Sequence, residues 1–480
     1  MISRNFNNNL FINGRWRESS SGERFPTIDP ATEDVITTVP RGNSVDIDDA
    51  VQAARAAFEN SWGEFSPSER GRILSQLALG IKAHREELAR IETLDVGKPL
   101  RESLGDIDGG VQALEYNAGL ADKLQGDTIP LGNEYVDFTL LEPLGVTAHI
   151  VPWNFPFALA MRSIAPALAA GCTVVLKPSE ETPLSSLLFA SIVQEVNLPK
   201  GVVNVITGFG DEAGSALVKH PDVRGVTFTG SLSTGRLILE GISANIKPVV
   251  LELGGKNAMI VFADANLDRA VEDALEGAFG NSGQVCSAVS RILLEQSIRE
   301  RFIDQFKSRA AHLTIGPGME NPDMGPLVSR EQFERVSDYV NGGIKSGALL
   351  TLGGKKPSNR QKGYFFEPTI FEHVKPDMKI AQEEIFGPVV VFMEFEGEKE
   401  AIQITNDVTY GLVAGIYTQD ISRALRVARR LETGSVWING WYLGGVAAPT
   451  GGVKSSGIGR ERGQAGIHNY VQIKNVGIKL

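Results

Sequence analysis

The sequence predicts an α/β chain, on three observations. First, apolar runs of strand length alternate with helical stretches: Val146-Thr147-Ala148-His149-Ile150-Val151, Thr173-Val174-Val175-Leu176, Val202-Val203-Asn204-Val205-Ile206, Val223-Arg224-Gly225-Val226-Thr227-Phe228 and Val249-Val250-Leu251. Buried strands separated by helices point to βαβ units and a parallel sheet. Second, those runs end in Pro152-Trp153-Asn154, Lys177-Pro178-Ser179-Glu180, Thr207-Gly208-Phe209-Gly210, Thr229-Gly230-Ser231 and Glu252-Leu253-Gly254. Polar and glycine-rich residues thus collect at the carboxyl ends of the strands, where ligands of such sheets sit. Third, 480 residues are enough for two or three structural units.

Taken in order, Leu10-Phe11-Ile12 and Trp16 flank Asn13-Gly14, a hairpin signal. A helix is predicted from about Ser44, with Ile47, Val51, Ala54 and Phe58 on one face. A second opens with Ser66-Pro67-Ser68-Glu69, a capping box with proline at the first helical position, and carries Ile73, Leu77, Ile81, Leu88 and Ile91. A third spans roughly 100 to 123. Gly126, Pro130, Gly132-Asn133 and the alternating Tyr135, Phe138 and Leu140 then read as an extended hairpin, which needs another partner to be stable. A second α/β unit begins near Lys256 with the strand Ala258-Met259-Ile260-Val261 and a helix from about Leu267. The end, from Tyr470 to Val476, reads as a strand that could pair with the hairpin, within one chain or between chains.

Composition excludes several classes. Lys+Arg is 47 against Asp+Glu 58, a net charge of -11 without any long basic run, which argues against nucleic-acid binding. Two cysteines, Cys172 and Cys286, cannot form a disulfide framework, and a reducing cytoplasm is expected. The polar N-terminus through Asn9 lacks a signal-peptide core, and no apolar stretch is long enough to span a membrane. The six histidines are dispersed without zinc-ligand spacing, so no metal is expected.

Two residues stand out as chemical groups. Glu252 ends an apolar strand beside Gly254-Gly255, and Cys286 lies in a small-residue turn, Asn281-Ser282-Gly283-Gln284-Val285-Cys286-Ser287-Ala288. A thiol nucleophile needs a base, and a covalent intermediate needs something to break it down. Each residue alone also has a plain reading: a buried cysteine is usually a small hydrophobe, and a strand-end glutamate can face solvent. Cys172, between Gly171 and an apolar run, reads as structural. Gly230-Ser231 could admit a pyrophosphate to a helix N-terminus or serve backbone geometry only.

In combination these strings match a family. Pro152-Trp153-Asn154-Phe155-Pro156, Lys177-Pro178-Ser179-Glu180, Phe228-Thr229-Gly230-Ser231, Leu251-Glu252-Leu253-Gly254-Gly255-Lys256, Gly283-Gln284-Val285-Cys286, Glu384-Ile385-Phe386-Gly387-Pro388 and Ser456-Gly457-Ile458-Gly459-Arg460-Glu461 occur in this order. The chain resembles the NAD(P)-dependent aldehyde dehydrogenase superfamily over almost its whole length. That resemblance implies a Rossmann-like NAD-binding domain (1–123 and 144–253), an α/β catalytic domain (254–465) and an oligomerisation arm (124–143 and 466–480) formed by the β-hairpin and C-terminal strand. It further implies a homodimer or homotetramer.

The same resemblance implies that Cys286 attacks the aldehyde, that Asn154 and the Cys286 backbone N–H receive the oxyanion, and that Glu252 activates the water that hydrolyses the thioester. Lys177 and Glu180 match the adenosine-ribose site, Gly230 and Ser231 the pyrophosphate turn, and Trp153 the wall of that half. Glu384 and Phe386 match the nicotinamide-ribose clamp; Leu253 is also assigned to the cofactor, and Glu461 matches a glutamate linked to proton removal. A carboxylate at Glu180 favours NAD over NADP, because it accepts from a 2′-OH and repels a 2′-phosphate.

Departures bear on the substrate. Arg162 resembles an arginine of semialdehyde dehydrogenases and of several aromatic-aldehyde enzymes, and it could equally be an inter-helix arginine. The second arginine of the succinic semialdehyde enzymes is Gly280 here. Thr450 stands where many relatives carry phenylalanine, and Gly109, Gly280 and Gly444 fall near positions of large residues in acetaldehyde-type enzymes. A roomy pocket for an aromatic or otherwise bulky aldehyde is expected, with a carboxylate-bearing semialdehyde held by Arg162 as the alternative. Trp441 and Tyr442 form one wall or pack in the core. Outside the family, a cysteine hydrolase lacks a histidine in a recognisable motif, and a catalytically dead binding protein would not need Cys286, Glu252 and Asn154 together.

Overall fold

Two mixed sheets and a small arm organise residues 7–480, which are those described by this computed structural model; the first six residues of the polar N-terminal stretch lie outside them. In the first sheet five strands run parallel in the order Val203–Val205, Thr173–Lys177, Val146–Ile150, Gly225–Thr229 and Val249–Glu252. In chain order this is 3-2-1-4-5, the doubly wound Rossmann arrangement, whose switch point lies between Val146–Ile150 and Gly225–Thr229. The hairpin Leu10–Ile12 and Arg15–Arg17 extends one edge antiparallel, and Gly457–Ile458 extends the other. Asn13 and Gly14 both take positive φ, 51° and 69°, as a two-residue hairpin turn requires.

Alternation of side chains across this sheet builds two cores. Val174, Leu176, Val203 and Val205 pack with the helices Pro67–Ala83, Leu100–Leu120, Pro156–Ala170 and Leu184–Glu195. Val175, Ile150, Val226, Phe228 and Leu251 pack on the other face with Ser44–Asn60 and Leu232–Ile242. Strands buried on both faces explain the unbroken apolar runs of the sequence.

The second sheet runs Leu349–Leu352, Thr369–Glu372, Val389–Phe395, Arg291–Glu295, Ala258–Val261, Val413–Tyr417 and Ser435–Ile438, all parallel except the first. Ile260 and Leu293 face one core and Met259, Val261, Ile292 and Leu294 the other. The chain passes from the edge region of the first sheet to the middle of the second within residues 253–257. That short passage holds the two sheets against each other at the end of Val249–Glu252.

The predicted hairpin and terminal strand do pair, within one chain. Tyr135–Pro143 lies antiparallel to Val471–Lys479 in an unbroken register from Val471↔Pro143 to Lys479↔Tyr135, with Thr128–Ile129 on the outer side. This three-stranded arm exposes Tyr135, Val136, Leu140, Ile473 and Ile478.

One expectation is corrected. The apolar spacing from Ile73 to Ile91 reads as one helix, but there are two, Pro67–Ala83 and Arg85–Val96, broken at His84 (φ −98°, ψ 13°). The His84 ring bonds Glu87 and Glu195 at 3.3 and 2.8 Å, and the break turns the second helix onto Leu184–Glu195. Leu77, Ile81, Leu88 and Ile91 stay buried on both sides of it, so periodicity carries no trace of the break. No helix among the described residues is long and apolar enough to cross a membrane.

Candidate active site

Glu252 is the last residue of its strand and is 3 % exposed, so the solvent-facing reading of this carboxylate is excluded. The glycines after it are required by close approach. A Cβ on Gly254 would meet the Glu384 carboxylate at 2.1 Å, and one on Gly255 would meet the Cys286 carbonyl at 2.8 Å. The Gly255 N–H donates to Glu384 at 3.0 Å. On the outer side the strand Gly457–Ile458 pairs with Leu251 and Glu252, and this pairing delivers Glu461 to the same region.

The Cys286 loop follows the helix Leu267–Phe279 and begins with strained backbone. Asn281, Ser282 and Gly283 are all left-handed, with φ of 45°, 55° and 72°. Such backbone costs about 1–2 kcal/mol per non-glycine residue and persists only where its surroundings over-determine it. Here the Ser282 hydroxyl donates to the Gly325 carbonyl at 2.7 Å, and Gln284 accepts from the Val328 N–H at 2.9 Å. A Cβ on Gly283 would lie 2.2 Å from the Gly387 carbonyl oxygen. Beyond the cysteine, the Asn257 amide donates to the carbonyls of Cys286 and Ala288 at 2.8 and 2.9 Å, while its oxygen accepts from the Val413 N–H.

Asn154 comes from the loop between Val146–Ile150 and Pro156–Ala170 and is 2 % exposed. Its side-chain nitrogen donates one hydrogen to the Gln284 carbonyl at 2.8 Å, which leaves the second hydrogen free. Asn154, Glu252 and Cys286, far apart in sequence, thus converge where the two sheets meet.

Electrostatics in this space are those of a buried site. Burial pushes the Glu252 carboxyl up to about 7, with Arg162 pulling it down and Glu461 pushing it up. One of its oxygens has no hydrogen-bond partner, so it is placed to bind a water or a proton. Burial pushes the Cys286 thiol up to about 12, reinforced by the Glu252 charge and opposed by Arg162. The resting sulfur is therefore a thiol, and attack requires a proton acceptor. Burial likewise pushes Glu384 up to about 7.

Arg162 is the one charge in the helix Pro156–Ala170, whose other residues are almost all buried and apolar. Such a cation needs a counterion, and it has one: its guanidinium lies 2.6 Å from the Glu461 carboxylate, with side-chain exposures of 10 % and 4 %. Thr450 exchanges two 2.8 Å backbone bonds with Glu461 and so fixes that glutamate.

Two cavities border the site. One of about 250 Å³ is lined by Gly105, Gly109, Arg162, Gly445 and Arg462 among others. The other, about 530 Å³, is lined by Phe155, Gly280, Val285 and Tyr442 and shares Gly105 and Asp106 with the first. Thr450 lines neither. Trp441 is buried and donates to the Ser287 carbonyl at 3.1 Å, so it backs the loop, whereas Tyr442 faces the larger cavity.

A further cavity of about 440 Å³ opens at the carboxyl end of the first sheet, between Ile150, Gly214, Val218 and the helix Leu232–Ile242. Nearby, Lys177 is buried and pairs with Glu180 at 2.9 Å, and Ser231 caps Leu232–Ile242 by accepting from the Thr234 N–H at 3.1 Å. Leu253 packs into the core beneath Gly235. Trp153 and Phe386 meet edge to face with ring centroids 5.2 Å apart, across the space between the two sheets. Cys172 is fully buried, its sulfur 3.2 Å from the Tyr470 carbonyl.

Several supporting residues carry no sequence signal. Lys98, Glu92, Glu102 and Asn257 all bond the two loops of the site or the residues beside them. Lys98 lies between Gly97 and Pro99, a setting that reads as a solvated turn; only a lysine with no exposure reveals its role.

Comparison with known proteins places nearly the whole chain in one family. A family model described as the aldehyde dehydrogenase family matches residues 16–476. An aldehyde dehydrogenase of Emericella nidulans is 46% identical over 473 residues, covering 98% of this chain and 95% of that protein. A hydroxyisobutyraldehyde dehydrogenase of Mycolicibacterium austroafricanum is 46% identical over 472 residues, covering 98% and 94%. The crystal structure of betaine aldehyde dehydrogenase from Staphylococcus aureus, in complex with NAD+, superposes with a TM-score of 0.98 at 41% identity, covering 100% of this chain and 96% of that one.

The buried ion pair yields a stability prediction. Arg162→Met strands the Glu461 carboxylate and should lower unfolding stability by about 3–5 kcal/mol, whereas Arg162→Met with Glu461→Gln should recover most of it. Urea unfolding of the three proteins checks this; equal losses in the single and double variants would show that the pair is not coupled.

Proposed function

The chain belongs to the aldehyde dehydrogenase family, and from that premise we propose that it oxidises an aromatic or otherwise bulky aldehyde to its carboxylic acid, with NAD as oxidant and a thioester on Cys286. The convergence of Cys286, Asn154 and Glu252 in one water-poor space carries this reading.

The residues present fit a dinucleotide. The 440 Å³ cavity at the switch point of the first sheet is partly apolar and suits an adenine. Lys177 and Glu180 would hold the adjacent ribose, and the 2′-OH acceptor at Glu180 favours NAD over NADP. Gly230 and Ser231, at the N-terminus of Leu232–Ile242, would receive the pyrophosphate with the helix dipole behind it. Trp153 would line that half; Glu384 and Phe386 would hold the nicotinamide ribose, and Leu253 would support it from the core.

In the reaction, Cys286 Sγ attacks the aldehyde carbon as its proton passes to a base, and Glu252 is the acceptor whose charge already raises the thiol. The thiohemiacetal oxyanion receives the free Asn154 amide hydrogen and the Cys286 N–H. NAD, when bound, supplies the hydride acceptor that converts this adduct to a thioester. Glu252 then gives up that first proton to solvent and, ionised again, takes a proton from water as the water adds to the thioester carbon. The sulfur leaves, and the carboxylic acid is released. Glu461, paired with Arg162, adds a second negative charge that helps to raise Glu252.

The cavity walls support a bulky substrate. A Cβ on Gly105, Gly109 or Gly280 would enter open space, so packing does not demand glycine there. Their effect is to leave room in the two cavities beside the site. A carboxylate clamp on Arg162 is the weaker reading, because Glu461 already neutralises that guanidinium. Thr450 lines neither cavity and bonds the Glu461 backbone instead, so it is not part of the substrate wall.

The arm supports assembly with a second copy of the chain, as a dimer or tetramer. Its exposed apolar residues, Ile473 at 73 % among them, would be covered by association.

Cys286→Ala should abolish NADH formation from NAD and aldehyde, and Glu252→Gln, which removes the acceptor of both the thiol and the water proton, should slow the NADH burst and lower steady-state turnover. In the wild type the steady-state rate should fall as pH drops below about 7, because Glu252, raised above its ordinary range, protonates there; undiminished turnover of Cys286→Ala would refute the assignment. On substrate, kcat/KM should favour benzaldehyde over acetaldehyde and succinic semialdehyde, and Gly280→Phe should cut the benzaldehyde value by about 10-fold or more. A preference for acetaldehyde would sink the bulky-substrate reading. Light scattering should give at least a dimer, and a monomer would remove the arm from assembly.

A further inference from the structure

Around the start of the helix Leu100–Leu120 lies a set of buried charges that the reaction does not consume. Lys98 has no exposed surface, and its ammonium lies 2.6 Å from Glu92, 2.5 Å from Asp106 and 3.2 Å from the Asn154 carbonyl. The second oxygen of Glu92 accepts from the Phe157 N–H at 3.1 Å. Together Lys98 and Glu92 grip residues 154–157 at both ends. One turn into the helix, Glu102 accepts from the Asn281 N–H at 2.9 Å, at the first left-handed residue of the Cys286 loop. The Asn281 side chain in turn donates to the same Asn154 carbonyl at 3.1 Å.

Two loops from different sheets are therefore fastened to one helix start. The Asn154 loop is held by Lys98, the Cys286 loop by Glu102, and the Asn154 carbonyl is shared between them. Stability alone does not call for this chemistry, since an apolar trio of similar volume is often as stable as a buried ion cluster. Oxyanion stabilisation does call for fixed geometry. Its donors must lie about 2.7–3.1 Å from the developing charge, and a misplacement of about 1 Å can cost on the order of 100-fold in rate.

We propose that Lys98 and Glu102 are positioning residues that set the spacing between the Asn154 amide and the Cys286 loop, and thereby the strength of the oxyanion site. This rests on the assignment of Cys286 and Asn154 given above. Neither residue contacts the reacting atoms; each acts through the backbone of a loop that does.

A double-mutant cycle tests it in the full-length enzyme. Lys98→Met and Glu102→Ala are each expected to lower kcat by about 10- to 100-fold with little change in KM for NAD. Glu102→Gln, which keeps an acceptor oxygen, should restore most of the rate. Alkylation of Cys286 by iodoacetamide forms no oxyanion, so its rate should stay within about twofold of wild type. In an Asn154→Ala background the same substitutions should cost less than about threefold, because the group they position is gone. Equal losses in both backgrounds, or alkylation that falls in step with kcat, would overturn the proposal. Should Lys98→Met fail to fold, Glu102→Ala with its glutamine rescue decides alone. Undiminished kcat in Asn154→Ala by itself would overturn the assignment of Asn154 instead, and this proposal with it.

Discussion

The short crossing at residues 253–257 is the constraint on which the rest of the site depends. It joins an outer strand of one sheet to a central strand of the next, so the carboxyl end of Val249–Glu252 must face the second sheet at close range. Gly254 and Gly255 make that range possible, since side chains there would meet Glu384 and the Cys286 backbone. Asn257, at the end of the crossing, ties the segment after the cysteine to the second sheet. The short crossing brings Glu252 near the second sheet, and Asn257 then holds the Cys286 loop to it.

Closing that gap removes water, and the removal of water sets the chemistry. Burial raises Glu252, Cys286 and Glu384 alike. A raised thiol is a poorer resting nucleophile, but a raised carboxylate is a better base near neutral pH. The two shifts complement each other: the proton the sulfur holds at rest has an acceptor close by. Arg162 tempers both shifts and is itself held by Glu461, so the charge balance is shared among four side chains rather than set by any pair. Removing Arg162 or Glu461 leaves a buried charge unmatched, and the cost exceeds the net worth of the pair.

Strain is stored next to the reactive group and restrained from a distance. Three successive left-handed residues precede Gln284, and two of them are not glycine. The partners that hold Asn281, Ser282 and the following Gln284 come from Glu102, Gly325 and Val328, on separate parts of the chain. These bonds hold the strained backbone in one geometry beside Cys286.

Much of the fold was legible in the sequence, because strand and helix periods are local properties. The buried strands of the first sheet show as apolar runs, the capping box marks the start of Pro67–Ala83, and the Asn13-Gly14 turn marks its hairpin. Ordered strings likewise pointed to Cys286, Glu252 and Asn154. The break at His84 was not legible, since the apolar period continues through it and only the partners Glu87 and Glu195 reveal it. Arg162 could be read as a lone charge in an apolar helix, but its counterion is Glu461, at the far end of the chain. Lys98 reads as a solvated turn and is one of the most buried cations in the protein. Residue type and spacing show which groups are chemically able to react and where most strands and helices lie, because both are local properties. Tertiary structure alone decided which charges are paired, how far each proton affinity moves and where space is left for a substrate. Those depend on distances between segments remote in sequence and on the water that folding excludes from between them.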